Sequence, residues 1–210
     1  IQTQIVVVTA NKRLQSLEEI PVSMNIIDAT QMEKRNIVAV DDALRYVPGV
    51  NFQQSQINIR ASSGYSRGVG SRVMMLVDGV PLLAGDTGEI TFESIPVFQI
   101  DRMEVVKGAG SALYGSGAMG GVINVLTKEI DEHPTMWWRL SGGSYSEPSF
   151  TQWKWSDKTR FSNGQLFGFS NRFDDLGVAA SIQRISDDGY REQDWLRRYN
   201  GFLKLKYDIS

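Results

Sequence analysis

The sequence predicts a small α+β domain over residues 1–134, followed by antiparallel β-strands over residues 135–210. Three observations carry this reading. Residues 101–128, DRMEVVKGAGSALYGSGAMGGVINVLTK, place two short apolar strands, 103–106 and 122–126, on either side of a link with six glycines. Glycine supplies positive φ and close backbone approach, so such a link implies a tightly folded, backbone-rich structure packed inside something larger. Second, the aromatic residues are unevenly spread: fifteen of the 21, including all five Trp, lie after residue 134. The change falls at KEIDEHP, 128–134, a charged stretch closed by proline, which marks a domain boundary. Third, segments beyond that boundary alternate apolar and polar residues with the period of a half-buried strand.

Within 1–134 the elements follow in order. Residues 5–9 (IVVVT) are β-branched and predict a strand, and 21–27 (PVSMNII) predict another. Asp28 or Thr30 is placed to cap the short helix that comes next. Residues 40–46 (VDDALRY) predict a second helix with Asp41 and Asp42 in its favoured acidic first turn, ended by Pro48-Gly49. Residues 50–53 and 57–60 read as strand pieces, 62–71 as a loop, 72–77 as a strand, Asp78-Gly79 as a turn and 83–89 as a second loop.

Beyond 134, Trp153 and Trp155 share one face of TQWKW, and Leu203, Leu205 and Tyr207 share one face of FLKLKY, with Lys204 and Lys206 on the other. Val178, Ala180 and Ile182 also share a face. Residues 174–175 and 187–189 read as turns. A soluble sandwich and an outer-membrane barrel both fit this pattern, and the density of Trp and Tyr near strand ends matches the aromatic girdles of a barrel. A spanning barrel strand takes about 9–11 residues, and the smallest barrels have about 8 strands. The segment holds about four or five strands by that measure, so a barrel would lie mostly outside this chain. Between 146 and 175 the pattern allows one long hairpin or two short ones.

Composition narrows the function. There is no cysteine, hence no disulfide framework and no thiolate metal site. The net charge of -2 comes from interspersed acids and bases, which leaves no basic footprint for nucleic acid. No apolar run approaches the ~18 residues of a membrane-spanning helix. Ile1 is not an initiator Met, so a processed or trimmed N-terminus is expected. Gly64-Tyr65-Ser66-Arg67-Gly68 matches the G-x-S-x-G of hydrolases, with His133 following, but a strand rather than a helix comes after it. Gly115 to Gly120 matches G-x-G-x-x-G, yet here too a β-branched strand follows, and no βαβ unit surrounds it. Neither pairing of acids, Asp41 with Asp42 or Asp174 with Asp175, suggests acid–base catalysis.

The blocks IVVVTANKR (5–13), IPVSMNIIDATQME (20–33), VDDALRYVPGV (40–50), NIR (58–60), RVMMLVDGVPL (72–82) and IDRMEVVKGAGSALYGSGAMGGVINVLTK (100–128) occur in one order. That pattern resembles the TonB-dependent outer-membrane receptors: 1–134 is similar to their plug domain, and 135–210 to the first strands of their barrel. The resemblance implies an α+β plug followed by antiparallel strands of an incomplete transmembrane β-barrel, 22-stranded in the family. It implies a receptor in the outer membrane of a Gram-negative-type bacterium that binds a scarce nutrient such as a ferric siderophore, haem or cobalamin. Import would draw energy through the periplasmic C-terminal domain of TonB. No catalysis, no cofactor held by the chain and no nucleic-acid partner are implied; any metal arrives inside the ligand, and the other partner is the outer-membrane lipid.

Site residues follow from the same resemblance. The family's TonB box is a short N-terminal segment that adds as a strand to its partner. Ile5, Val6, Val7, Val8 and Thr9 suit that role, and suit equally the first internal strand of the plug. Loops at the plug apex offer Gln54 as a ligand contact, Tyr65, Arg67 and Arg72 to an anionic chelate, and Asp86 and Glu89 to a cationic one; each residue alone fits a solvated loop equally well. Arg60 and Lys107 stand where the family has two basic residues that lock plug to barrel. The chain departs there: Ala61 replaces the usual glycine, and Lys107-Gly108-Ala109 replaces Arg-Gly-Pro. Lys107 acts only as a point charge, without the bidentate fork of arginine. A plug-like module that binds without transport is the alternative, and a hydrolase using Ser66 a remote one.

Overall fold

The structure, a computed structural model, describes residues 7–8, 15–16, 23–35, 37, 39–53, 56–60, 72–82, 90 and 92–209. The chain forms two compact units, Ile1–Lys128 and Glu129–Ser210.

In the first unit Val7–Val8 (β1) pairs antiparallel with Gln15–Ser16 (β2). Ser23–Asp28 (β3) leads into Ala29–Lys34 (α1), and the Asp28 carboxylate accepts from the Gln31 N–H at 2.7 Å, the cap expected of an Asp before a helix. Val40–Leu44 (α2) carries Asp41 and Asp42 in its first turn, where the helix dipole favours them. Val50–Gln53 (β4) and Gln56–Ile59 (β5) form a hairpin. Val73–Val77 (β6), Val80–Pro81 (β7), Ile100–Lys107 (β8) and Gly121–Thr127 (β9) join β3 in one sheet of order β3-β8-β9-β6-β7. Among the described residues only β6 and β9 run parallel.

Both faces of this sheet are covered, so β6 and β9 read as near-continuous apolar runs. Val73, Met75, Met103, Val105, Ile123 and Val125 pack with α1, α2 and the β4–β5 hairpin, while Met74, Leu76, Val106 and Val122 pack with Ala118 on the other side. Strands β8 and β9 extend beyond the apolar cores 103–106 and 122–126 that the sequence singles out. Their glycine-rich link folds as a turn of α-helix, Ser111–Tyr114 (α3), then a 3-10 turn, closed by Gly110 N–H donating to the Ala118 carbonyl at 2.8 Å.

The second unit is an antiparallel meander of Thr135–Ser144 (β10), Phe161–Phe173 (β11), Leu176–Asp187 (β12) and Leu196–Tyr207 (β13). Neither a long hairpin nor two short ones forms within 146–175: the segment supplies a loop and then β11, which pairs with β10 before it and β12 after it. The expected strand at TQWKW is corrected: residues 145–160 form the hairpin loop, and Thr151–Trp153 is a 3-10 turn. Phe150 and Trp153 stack edge-on at 4.6 Å across that turn, which satisfies its alternating aromatics without a ladder. The opposite end of the sheet closes with the two-residue turn Asp174-Asp175, where Asp174 adopts φ +50°.

Register separates the two faces of this sheet. Met136, Trp138 and Leu140 lie with Phe167, Phe169, Val178, Ala180, Ile182, Leu203, Leu205 and Tyr207 on an apolar face. Arg139, Ser141, Ser170, Arg172, Gln183, Asn200, Lys204 and Lys206 share the other, where Trp137 lies over Gly168 and Ile130 over Gly177.

Candidate functional site

Each unit holds one notable arrangement. In the first, the turn after α2 gathers two cations. Gly49 takes φ +81°, which turns the Pro48 and Gly49 carbonyls toward two different strands. The Arg60 N–H donates to the Gly49 carbonyl at 2.7 Å, and the Lys107 ammonium donates to the Pro48 carbonyl at 2.5 Å. Arg60, which follows β5, is exposed and itself sits at φ +51°, an uncommon conformation for a side chain of its size. Lys107 ends β8 and is 8% exposed. Burial pushes its ammonium pKa below the ordinary value, and the Arg60 charge adds to the depression. The structure therefore brings together the two basic residues that the sequence singles out.

The depressed pKa has a measurable sign. Below the ordinary lysine value of 10.5 the unfolded chain holds this proton more tightly than the folded chain does. Stability then rises as pH climbs from the folded value toward 10.5. Lys107→Met is expected to flatten that rise. Parallel urea midpoints across the window check it, and equal slopes in the two proteins would exclude the assignment.

The second arrangement sits at the loop end of the meander. The 145–160 and 188–195 loops emerge side by side, because β10–β11 and β12–β13 both close there. The Arg160 guanidinium lies 4.9 Å from the Trp155 ring and 5.6 Å from the rings of Tyr145 and Tyr190. It also donates to the carbonyls of Gly189, at 2.9 Å, and Tyr190. The Trp155 indole N–H donates to the same Tyr190 carbonyl at 3.0 Å, and the Tyr145 hydroxyl donates to Asp187 at 2.9 Å. That bond to a carboxylate is the first cause of the raised pKa of Tyr145. One arginine thus stitches both loops through cation–π and hydrogen-bond contacts. Beside it opens a cleft of about 470 Å³ lined by Trp153, Trp155, Tyr190, Arg191 and Glu192. An aromatic floor with one base and one acid at its rim suits a flat ligand carrying polar groups.

Other sequence-predicted residues are scattered. Val7 and Val8 pair with Ser16 and Gln15. Arg72 is exposed just before β6, and its carbonyl accepts from the Gly120 N–H at 2.8 Å, tying it to the glycine-rich link. Ile5, Val6, Thr9, Gln54, Tyr65, Ser66, Arg67, Asp86 and Glu89 lie outside the described residues. Glycines 115–120 lead into β9 and no helix, so they form no dinucleotide turn. Among the described residues no group of three or more acidic or histidine side chains converges as for a metal. Arg160 and its three aromatic neighbours were missed by sequence reasoning. The available signal is the density of Trp and Tyr beyond residue 134, which fits aromatic girdles near strand ends, with 151–155 alone patterned as a strand.

Comparison with known proteins agrees with this architecture. The family profile described as TonB-dependent Receptor Plug Domain matches residues 16–122. A protein of Vibrio vulnificus strain CMCP6, named Vitamin B12 transporter BtuB, is 36% identical over 171 residues, covering 81% of this chain and 28% of that protein. Its namesake in strain YJ016 is 29% identical over 98% of this chain and 35% of its own length, so the chain spans about a third of these relatives. The ferric yersiniabactin uptake receptor FyuA from Yersinia pestis superposes with a TM-score of 0.65 at 26% identity, covering 88% of this chain and 28% of that one. The siderophore receptor PirA from Pseudomonas aeruginosa gives 0.67 at 24% identity, covering 91% and 33%, and shares the fold. Plug profile, strand order and amphipathic meander coincide, and the chain belongs to the TonB-dependent receptors of the Gram-negative outer membrane.

Proposed function

We propose that this chain is the plug, residues 1–134, and the first barrel strands, residues 135–210, of a receptor that binds a scarce nutrient and imports it with energy delivered through TonB. The supporting observation is a plug-profile match over 16–122 continuous with a four-stranded sheet that is apolar on one face and polar on the other. The names of two relatives, a vitamin B12 transporter and a ferric yersiniabactin uptake receptor, support a ligand among metal chelates of that kind. Uptake of radiolabelled cobalamin and of iron-55 chelates by cells carrying the whole receptor, with and without TonB, tests the reading. Accumulation that requires TonB is expected. Surface binding with no TonB-dependent accumulation would make the protein a capture module instead.

Roles for individual residues belong to the same proposal. Gln54, Tyr65, Arg67, Arg72, Asp86 and Glu89 contact ligand from the plug apex. Arg60 and Lys107 present their paired charge to barrel carboxylates and hold the plug in place. Two cations gathered on one turn repel each other, and a carboxylate partner relieves that repulsion.

Ile5, Val6, Val7, Val8 and Thr9 serve as the TonB-contacting strand. Among the described residues Val7 and Val8 pair with Ser16 and Gln15, and strand addition would exchange that partner for a TonB strand. Val7→Pro removes a backbone donor and fixes φ. It is expected to abolish uptake while leaving ligand bound at the cell surface. Normal uptake by Val7→Pro would exclude this segment as the TonB contact.

A further inference from the structure

The apolar face of the meander changes character near its loop end. Cross-strand rows run Phe173/Leu176/Tyr207, then Asn171/Val178/Leu205, then Met136/Phe169/Ala180/Leu203, then Trp138/Phe167/Ile182/Gly201. The next rows are Leu140/Gln165/Arg184/Tyr199 and Gly142/Asn163/Ser186/Arg197. Thus two arginines appear on a face that carries no Asp or Glu along any of the four strands.

Barrels of this kind turn their apolar face to lipid and their longer loops to the cell exterior. The short Asp174-Asp175 turn then marks the periplasmic end, and Arg184 and Arg197 stand toward the outer rim, beyond the main apolar rows and one row short of the exposed Phe161. A charge facing lipid is costly unless it meets a partner of opposite sign. Their placement at headgroup depth, and nowhere lower, is what an anionic headgroup selects.

The geometry prepares Arg184 for such a partner. Its Nη1 donates to the Asn163 amide oxygen at 3.0 Å and its Nε to the Tyr199 hydroxyl at 3.3 Å. Two contacts from neighbouring strands hold the guanidinium plane in place, so little side-chain freedom remains to be lost on binding. Arg197 is exposed and diagonal to it across the β12–β13 ladder, about 7–8 Å away at the backbone. That spacing lets two planar forks grip one phosphate from two sides. Asp188, the loop carboxylate four residues beyond Arg184, already accepts from the Phe161 N–H at 2.9 Å.

We propose that Arg184 and Arg197, with Tyr199 and Asn163 beside them, form a docking site for the phosphorylated headgroup of an outer-leaflet lipid, whose acyl chains run down over Leu140, Trp138, Phe167 and Ile182. The site rests on these strands lying in the outer membrane and is independent of TonB-driven import.

Native mass spectrometry of the whole receptor in detergent tests it, with diphosphorylated lipid A, the same acylated disaccharide without phosphates, and inorganic phosphate as probes. Wild-type receptor is expected to retain diphosphorylated lipid A about 30-fold more tightly than Arg184→Gln/Arg197→Gln, from roughly 1 kcal/mol per basic residue at a lipid surface. The unphosphorylated lipid should bind both proteins at the level of the variant. Arg184→Lys/Arg197→Lys should fall between, keeping charge and losing the fork. Heat-modifiable mobility confirms that each barrel is folded before its affinity counts. Equal retention of diphosphorylated lipid A by wild type and the glutamine pair would overturn the proposal, as would equal binding of the unphosphorylated lipid. Displacement by inorganic phosphate at matched concentration would make this a free-anion site and overturn the lipid assignment.

Discussion

Gly121→Val is expected to cost the plug about 4 kcal/mol, combining an overpacked contact with a backbone conformation closed to side chains. Gly121 opens β9 at φ +155°, facing Lys107 on β8 and Val73 on β6. A Cβ there would stand 2.7 Å from the Val106 carbonyl oxygen and 2.7 Å from Ile59 Cδ1. The carbonyl belongs to the strand ladder and cannot retreat without breaking it. Ile59 is fully buried, so its side chain has no space into which to swing. Gly79 supplies the control: it also has positive φ, +82°, but a Cβ would meet nothing within 4 Å. Gly79→Ala should therefore cost only the backbone term, about 1 kcal/mol. Urea unfolding of residues 1–134 followed by circular dichroism compares the two. Because a domain has only about 5–15 kcal/mol in hand, the valine variant should be largely unfolded at moderate urea. Equal midpoints for Gly121→Val and Gly79→Ala would show that the close approach at β9 is absent.

What the sequence made legible was local. Asp28 before α1, the acids at the start of α2, the Asp78-Gly79 turn and the period-two faces of β12 and β13 depend on neighbours within a few residues, and each appears where the pattern puts it. The sheet order was not legible, because β6 reaches β9 in parallel across the whole β8 segment and no local signal encodes such a pairing. The ends of β8 and β9 were under-read for a related reason. Arg102 looks like a loop residue in sequence, yet its Nε donates to the fully buried Glu104 carboxylate at 3.1 Å and the ladder runs through it.

The loop end of the meander shows the opposite failure. The alternation of TQWKW is real, but aromatic stacking and an indole bond to Tyr190 answer it, and periodicity cannot distinguish these from a cross-strand partner. Arg160 belongs to no motif; its role arises only because the 188–195 loop folds back onto it. Arg60 and Lys107 were found through family resemblance alone. Their meeting depends on where Gly49 turns the chain, which spacing in sequence does not reveal.

The polar face of the meander gives the second large effect. Gly168→Val should impair barrel folding by about 3 kcal/mol, at the upper end of overpacking costs. Gly168 stands directly opposite Trp137 in the β10–β11 register, and a Cβ would lie 2.2 to 2.5 Å from three atoms of the indole. The ring lies flat over the glycine, covering the exposed backbone that a side chain would otherwise shield, as aromatic residues do for glycines in designed sheets. The clash is with a side chain, so it should be reversible: Trp137→Ala opens the space, and the double variant should recover about 2 kcal/mol of coupling. Gly201→Val on β13 is the contrast, because no atom lies within 4 Å of its Cβ position and its face is the apolar one. The heat-modifiable fraction of whole receptor refolded into micelles reads all four proteins. If Gly168→Val with Trp137→Ala folds no better than Gly168→Val alone, the indole is not what the valine meets. The loss would then come from the strand backbone, and the same substitution at Gly201 should show it equally.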